Sequence, residues 1–182
     1  MNILNGTEEP TSGDANFLGK DLITRHSECE DQIGVCTQEV ILLEKLTVKE
    51  TLEFFCYMKG VQRPELIIEE NLERLNLQQQ RDTIVAKLSY VEKRKLQLTI
   101  ALLGNETRLV LLDEPTTGLD ATSRREVWEA INRAKENRII LITTRHLDEA
   151  EALADRIAIV SNGSLQCCGN ADFLKSRYGT GY

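Results

Sequence analysis

Apolar residues come in short continuous runs separated by longer polar stretches, and this spacing predicts strands alternating with helices. The run over 109–112, followed by Asp113-Glu114 and then Pro115-Thr-Thr-Gly-Leu-Asp120, predicts a buried strand that ends in a turn. Shorter apolar runs predict a strand over 32–36 and another buried strand over 138–143. Two more, over 156–161 and 164–168, flank Asn162-Gly163, a strong hairpin signal. Between 45 and 104 the period becomes helical. Thr47 followed by Glu50 is a capping box that opens a helix through Tyr57, with Gly60 as its stop. Ile68, Leu72 and Leu75 set an amphipathic helix over 65–77. Leu88-Ser89 opens a third helix, with Leu96, Ile100 and Leu103 inward and Lys93-Arg94-Lys95 on a solvated face. Asp120 or a neighbour caps a helix running to about Ala134 that buries Val127 and Ile131. Leu147, Ala150 and Ala154 line one face of the next. The order gives an α/β fold with a largely parallel sheet and an inserted helical subdomain.

The central stretch carries the chemistry. A strand in a parallel sheet delivers the residues after it to the carboxyl edge, where ligands bind. Two adjacent acids there suit a Mg²⁺-dependent phosphate site, one carboxylate holding the metal's water shell and the next polarising an attacking water. The plain alternative for Asp113-Glu114 alone is an exposed turn after a core strand. Gln38, two residues past the 32–36 strand, is placed to touch the metal and that water; taken singly it would be a surface amide.

Composition narrows the partners. With 182 residues, 41% hydrophobic and 28% charged, the chain is ordinary for one globular domain. Its 22 basic and 29 acidic residues give a formal charge of −7. That balance argues against a broad nucleic-acid face. No apolar run is long enough to span a membrane and no signal peptide is visible, so a membrane link would come through a partner. The five cysteines, at 29, 36, 56, 167 and 168, lack metal-ligand spacing and read as reduced cytosolic thiols.

Leu109–Asp120 resembles the Walker B segment and D-loop of the ATP-binding cassette (ABC) ATPases. The other motifs come in matching order. Cys36-Thr-Gln38 resembles the Q-loop, Leu88-Ser89-Tyr90-Val91-Glu92 the signature motif, and Thr143-Thr-Arg145-His146-Leu-Asp-Glu-Ala-Glu151 the switch region. The tail, Cys167-Cys-Gly169, Phe173-Leu-Lys175 and Tyr178-Gly-Thr-Gly-Tyr182, is most similar to the A subfamily of eukaryotic ABC transporters, whose members mainly move lipids. The resemblance implies a P-loop NTPase-like ABC fold, incomplete at the N-terminus, with an α/β core over 1–44 and 105–182 and a helical subdomain over about 45–104. It implies ATP and Mg²⁺ as cofactors, with Asp113 and Gln38 at the metal, Glu114 as base and Gln38 as sensor. Ser89 and Asp120 would serve the ATP and interface of a second nucleotide-binding domain. Transmembrane domains of the same transporter would hold the chain at the cytosolic face of a membrane, with no nucleic acid among the partners.

Three departures stand against this. No GxxxxGK[ST] loop occurs in the 182 residues, and Gly13…Gly19-Lys20-Asp21 imitates one with a residue too many and an Asp where a hydroxyl is needed, so it reads as a turn and strand. Tyr90 and Val91 replace the signature glycines, putting side chains where backbone must approach phosphate. Arg145 stands at the switch-His position, a permanent cation in place of a titratable imidazole, with His146 one residue later as a helix-start residue. The chain alone is therefore expected to be a weak or inactive ATPase within an ATP-hydrolysing family. The alternatives are a non-catalytic regulatory or structural cassette, or a soluble ABC ATPase.

Overall fold

The computed structural model describes residues 1–104 and 106–179, and its contacts divide the chain into two units, Met1–Thr143 and Thr144–Tyr182. In the first unit a three-stranded parallel sheet runs in the order β3 (Ile33–Cys36), β4 (Leu109–Asp113), β5 (Ile139–Thr143). Register pairs Ile33 with Leu109 and Leu109 with Ile139. Parallel neighbours need long crossovers. The first contains α1 (Val48–Met58), α2 (Pro64–Arg74) and α3 (Tyr90–Leu102), and the second is α4 (Ala121–Ala134).

The capping box at Thr47 forms as the sequence predicts: its hydroxyl accepts from the Glu50 N–H while the Glu50 carboxylate accepts from the Thr47 N–H. Gly60 comes next in the left-handed region at φ 62°. Helix α2 buries Ile68 and Leu72 but ends at Arg74, three residues before the expected boundary. The Gly13–Asp21 stretch forms a tight hairpin of β1 (Asn16–Phe17) and β2 (Lys20–Asp21), with Leu18 and Gly19 at φ 52° and 81°, the double positive φ of a type I′ turn. Phe17 and Leu22 from this hairpin join Ile33, Leu109 and Leu111 in a core cluster, with Met1 and Leu4 packed against it.

Two expectations about burial in this unit need correction. The Lys93-Arg94-Lys95 triplet is not a solvated face: Arg94 is 1% exposed and Lys95 8%, and Lys95 pairs with Glu126 of α4 at 2.5 Å. Helical periodicity could not foresee this, because α3 is covered on more than one side. Nor is β5 buried, for Ile139 and Leu141 are 57% and 41% exposed. Strand β5 is the edge of the described sheet, and the face it shares with Leu109 and Leu111 is covered over β3 and β4 but open over β5.

In the second unit, α5 (Leu147–Leu153) precedes an antiparallel hairpin of β6 (Ile157–Ser161) and β7 (Ser164–Gly169), then α6 (Ala171–Tyr178). The hairpin turns at Asn162 and Gly163, both at positive φ, as the Asn-Gly signal predicts. On α5 burial falls on Glu149 and Leu153, whereas Leu147, expected on the inner face, is 80% exposed. The last tail residues, 180–182, lie outside the described residues.

One close approach fixes how α3 lies on the sheet. A Cβ added to Gly34 on β3 would sit 1.8 Å from the Ala101 carbonyl oxygen. Backbone here cannot yield as a flexible side chain would. Gly34→Ala is therefore expected to destabilise the chain by about 3 kcal/mol or more, as overpacking against backbone does; urea unfolding followed by circular dichroism measures the loss.

Candidate ATP hydrolysis site

The site is built where β3 and β4 end. Strand β4 delivers Asp113 and Glu114 to the carboxyl edge, and β3 delivers Thr37 and Gln38 beside them. Gln38 and Asp113 line one cavity of about 320 Å³, whose other wall includes Met1, Asn2 and Asn5. Glu114 does not line it but stands next in the chain.

The acidic pair is braced rather than loose. The Thr143 hydroxyl, at the end of β5, donates to Asp113 Oδ1. The Glu114 N–H donates to the Thr143 carbonyl at 3.0 Å and lies 3.1 Å from its hydroxyl. Glu114 sits at φ 46°, a left-handed conformation uncommon for a residue with a Cβ. Such strain persists only where the surroundings over-determine it. Here the Thr117 hydroxyl also donates to Glu114 Oε2 at 2.9 Å, and the Thr117 N–H to the Glu114 carbonyl at 3.2 Å. The side chain is thus aimed by its own turn.

Arg94 carries the largest share of the bracing. Its Nε donates to the Pro115 carbonyl at 3.0 Å, and Nη2 donates to the carbonyls of Asp113 and Glu114 at 2.9 and 2.6 Å. Nη1 donates to the carbonyls of Thr37 and Gln38 at 2.6 and 3.1 Å, and to Gln97 Oε1 at 2.8 Å. Gln97 in turn donates to Thr37 Oγ1 and the Glu39 carbonyl. One buried fork therefore ties the Gln38 loop, the Asp113-Glu114-Pro115 turn and α3 together. Sequence reasoning missed Arg94 because a cation between apolar helical positions gives no sign of whether it faces solvent or backbone.

The signature-like residues are occupied by their own chain. Ser89 is the exposed N-cap of α3 in a second capping box: its hydroxyl lies 2.7 Å from Glu92 Oε2, whose oxygen also accepts from the Ser89 N–H at 2.8 Å. The Ser-x-x-Glu spacing was legible in the sequence. Tyr90 donates its hydroxyl to the Thr117 carbonyl at 3.2 Å, and its ring lies 2.8 Å from where a Gly118 Cβ would be. Asp120 caps α4 by accepting from the N–H groups of Thr122 and Ser123 at 2.9 and 3.0 Å. The Ser123 donors, N–H first and then hydroxyl, hold its carboxyl below the usual carboxylate range. Arg145 and His146 belong to the second unit; both are exposed, and His146 is the N-cap of α5.

The donor set fits Mg²⁺, a hard cation that takes carboxylate and amide oxygens and retains water. Asp113 keeps a second carboxylate oxygen beyond its Thr143 bond, and the Gln38 amide shares its cavity.

A family model described as "ABC transporter" matches residues 1–117. The chain belongs to the ABC transporter family. Within it the similarity lies with the A subfamily. Over 184 residues the chain is 43% identical to human "ATP-binding cassette sub-family A member 2", covering all of this chain and 8% of that protein. To human "Phospholipid-transporting ATPase ABCA3" it is 40% identical over 185 residues, all of this chain and 11% of that one. Among solved structures, "Structure of ATP binding subunit of ABC transporter" superposes with a TM-score of 0.86 at 26% identity, covering 98% of this chain and 75% of that chain. The α/β fold with its parallel sheet is therefore that of an ABC ATP-binding domain, and the chain spans about a tenth of the length of these two curated relatives.

Two outcomes are expected. Arg94→Met, which strips donors from buried carbonyls, should cost roughly 3 kcal/mol or more of stability, and Arg94→Lys should recover little because an ammonium cannot reproduce the fork. Burial pushes the Cys36 thiol up to about 11. Native protein at pH 8 should therefore label at exposed Cys168 while Cys36 stays silent until denaturant is added, as read by peptide mass.

Proposed function

We propose that this chain is the ATP-hydrolysing domain of an A-subfamily-type transporter that couples ATP hydrolysis to movement of lipid across a membrane. The observation that carries the reading is the convergence of Gln38 and Asp113 on one cavity, with Glu114 braced beside them in a strained turn. Asp113, through water, and Gln38 would hold Mg²⁺, which when bound offsets phosphate charge. Glu114 takes the proton of the attacking water. Its fixed backbone keeps the carboxylate at the carboxyl edge of β4, and the Thr117 hydroxyl orients it there. Gln38 positions the same water and moves with the helices that Arg94 connects to it. Arg145 takes the switch position as a phosphate-pairing cation that transfers no proton near neutral pH.

Residues 1–44 and 105–182 act as the core, and about 45–104 as the helical subdomain. Ser89 and Asp120 meet the nucleotide and interface of a second nucleotide-binding domain. Transmembrane domains of the same transporter hold the chain at the cytosolic face of the membrane. No helix among the described residues is long and apolar enough to cross it. The lipid assignment rests on similarity to proteins named for phospholipid transport.

One observation favours a second reading, a non-catalytic partner cassette. Tyr90 fills the place of a signature glycine and bonds within its own chain, and the Ser89 hydroxyl is engaged by Glu92.

In a reconstituted cassette in which a P-loop segment precedes this chain, Glu114→Gln should lower steady-state ATPase by about 100-fold or more while bound nucleotide is retained. Unchanged hydrolysis would remove Glu114 from the role of base. In the same cassette Tyr90→Gly with Val91→Gly separates the two readings. A rise in ATPase marks a weakened enzyme, and no change marks a scaffold.

A further inference from the structure

The opposite edge of the sheet carries a feature that ATP chemistry does not use. Arg108 immediately precedes β4 and Arg138 immediately precedes β5, and parallel register pairs the next residues, Leu109 with Ile139. The Ile139 N–H donates to the Arg108 carbonyl at 2.7 Å, so the two arginines leave adjacent strands side by side. Like charges facing across a strand pair are unfavourable unless something compensates them. Among the described residues no carboxylate reaches salt-bridge distance of either. Arg138 Nη2 donates to the Gly104 carbonyl at 3.1 Å and Arg108 Nη1 to the Asn137 carbonyl at 3.3 Å.

Arg138 opens into a cleft of about 210 Å³, lined also by Arg74 of α2 and Arg133 of α4. Glu70 and Glu136 are its acidic lining residues. Glu70 is taken up by Arg74 at 2.5 Å, and Arg133 is paired with Glu129 at 3.6 Å, both one turn apart on their own helices. Such exposed pairs are weak and readily shared with a stronger anion. Burial, then the charges of Arg74 and Arg108, holds the Arg138 guanidinium below its usual range. A neighbouring cleft adds Lys59 and shares Ile67 and Gly104 with the first.

We propose that the cleft formed by Arg74, Arg133 and Arg138, with Arg108 at its rim, is a binding site for a multivalent phosphate anion, separate from the ATP site. Planar guanidinium forks match phosphate oxygens, and here three converge from α2, α4 and the start of β5 while two cations lack carboxylate partners. The volume suits a pyrophosphate or a phosphorylated headgroup better than a whole nucleotide. Strand β5 runs from this cleft to Thr143, the residue that bonds Asp113 and Glu114, a span of roughly 13 Å. A phosphate held at its start would therefore grip the strand that braces the acidic pair.

The test titrates pyrophosphate into the 182-residue chain by calorimetry, and separately floats the chain with phosphatidylcholine vesicles with or without phosphatidylinositol bisphosphate. Saturable pyrophosphate binding, weakened about ten-fold or more by Arg138→Gln and unaltered by Lys87→Gln outside the cleft, is expected. Retention on the phosphoinositide vesicles, reversed by pyrophosphate, identifies a lipid headgroup as the source; pyrophosphate binding without retention identifies a free phosphate compound. Should Arg138→Gln fail to fold by circular dichroism, Arg133→Gln, whose side chain is 62% exposed, decides with an expected loss of about three-fold or more. Absence of both binding and retention overturns the site. So does equal binding by the folded arginine variant, or an equal loss with Lys87→Gln.

Discussion

A single guanidinium bonded to five backbone carbonyls holds the carboxyl edge of this sheet together. Arg94 lies in the interior of the first unit, where a cation is tolerated only when its donors are satisfied. The ends of two parallel strands satisfy it. Their carbonyls, which at the end of a sheet lack strand partners, turn toward one fork, and the cost of burying the charge is offset by bonds the turns need anyway. The Gln38 loop, the Asp113-Glu114 turn and α3 cannot then move independently. That constraint explains why Glu114 tolerates a left-handed backbone: its carbonyl is held by Arg94 and Thr117, and its N–H by Thr143.

Much of this architecture is legible in the order of residues alone, and the reasons differ by element. Thr47 and Glu50 announce a helix start because cap chemistry is local. Asn162-Gly163 announces a hairpin because few residues accept two positive φ values in succession. The order of Gln38, Ser89, Asp113-Glu114 and Asp120 points to the family. The part that is not legible is tertiary. Whether Arg94 meets water or carbonyls depends on elements far from it in sequence, and the exposure of Ile139 and Leu141 depends on what lies over one face of a sheet. Leu147 is misplaced for the same reason, since periodicity names a stripe and not the side that is covered.

The two ends of the sheet divide the labour of charge. At the carboxyl edge Asp113 lines a cavity suited to a cation with Glu114 next to it in the chain, and at the amino edge Arg108 and Arg138 crowd together in an otherwise acidic chain. Parallel strands make that separation possible because they all point the same way. Helix α3 packs on the same sheet and touches α4, and the pair of Lys95 with Glu126 adds a lateral tie between the two helices.

The contact between Tyr90 and Gly118 constrains more than one molecule. The aromatic ring occupies the volume that any side chain at 118 would need, while Gly118 adopts φ 79°, which most other residues resist. The pair is therefore bound in descent. A lineage that regains a small residue at 90 loses the steric half of the restriction on 118, whereas one that keeps the tyrosine must keep the glycine. Across related genes a tyrosine at 90 should therefore come with a glycine at 118, although 27 places separate the tyrosine from Thr117, the glycine's neighbour and the acceptor of its hydroxyl.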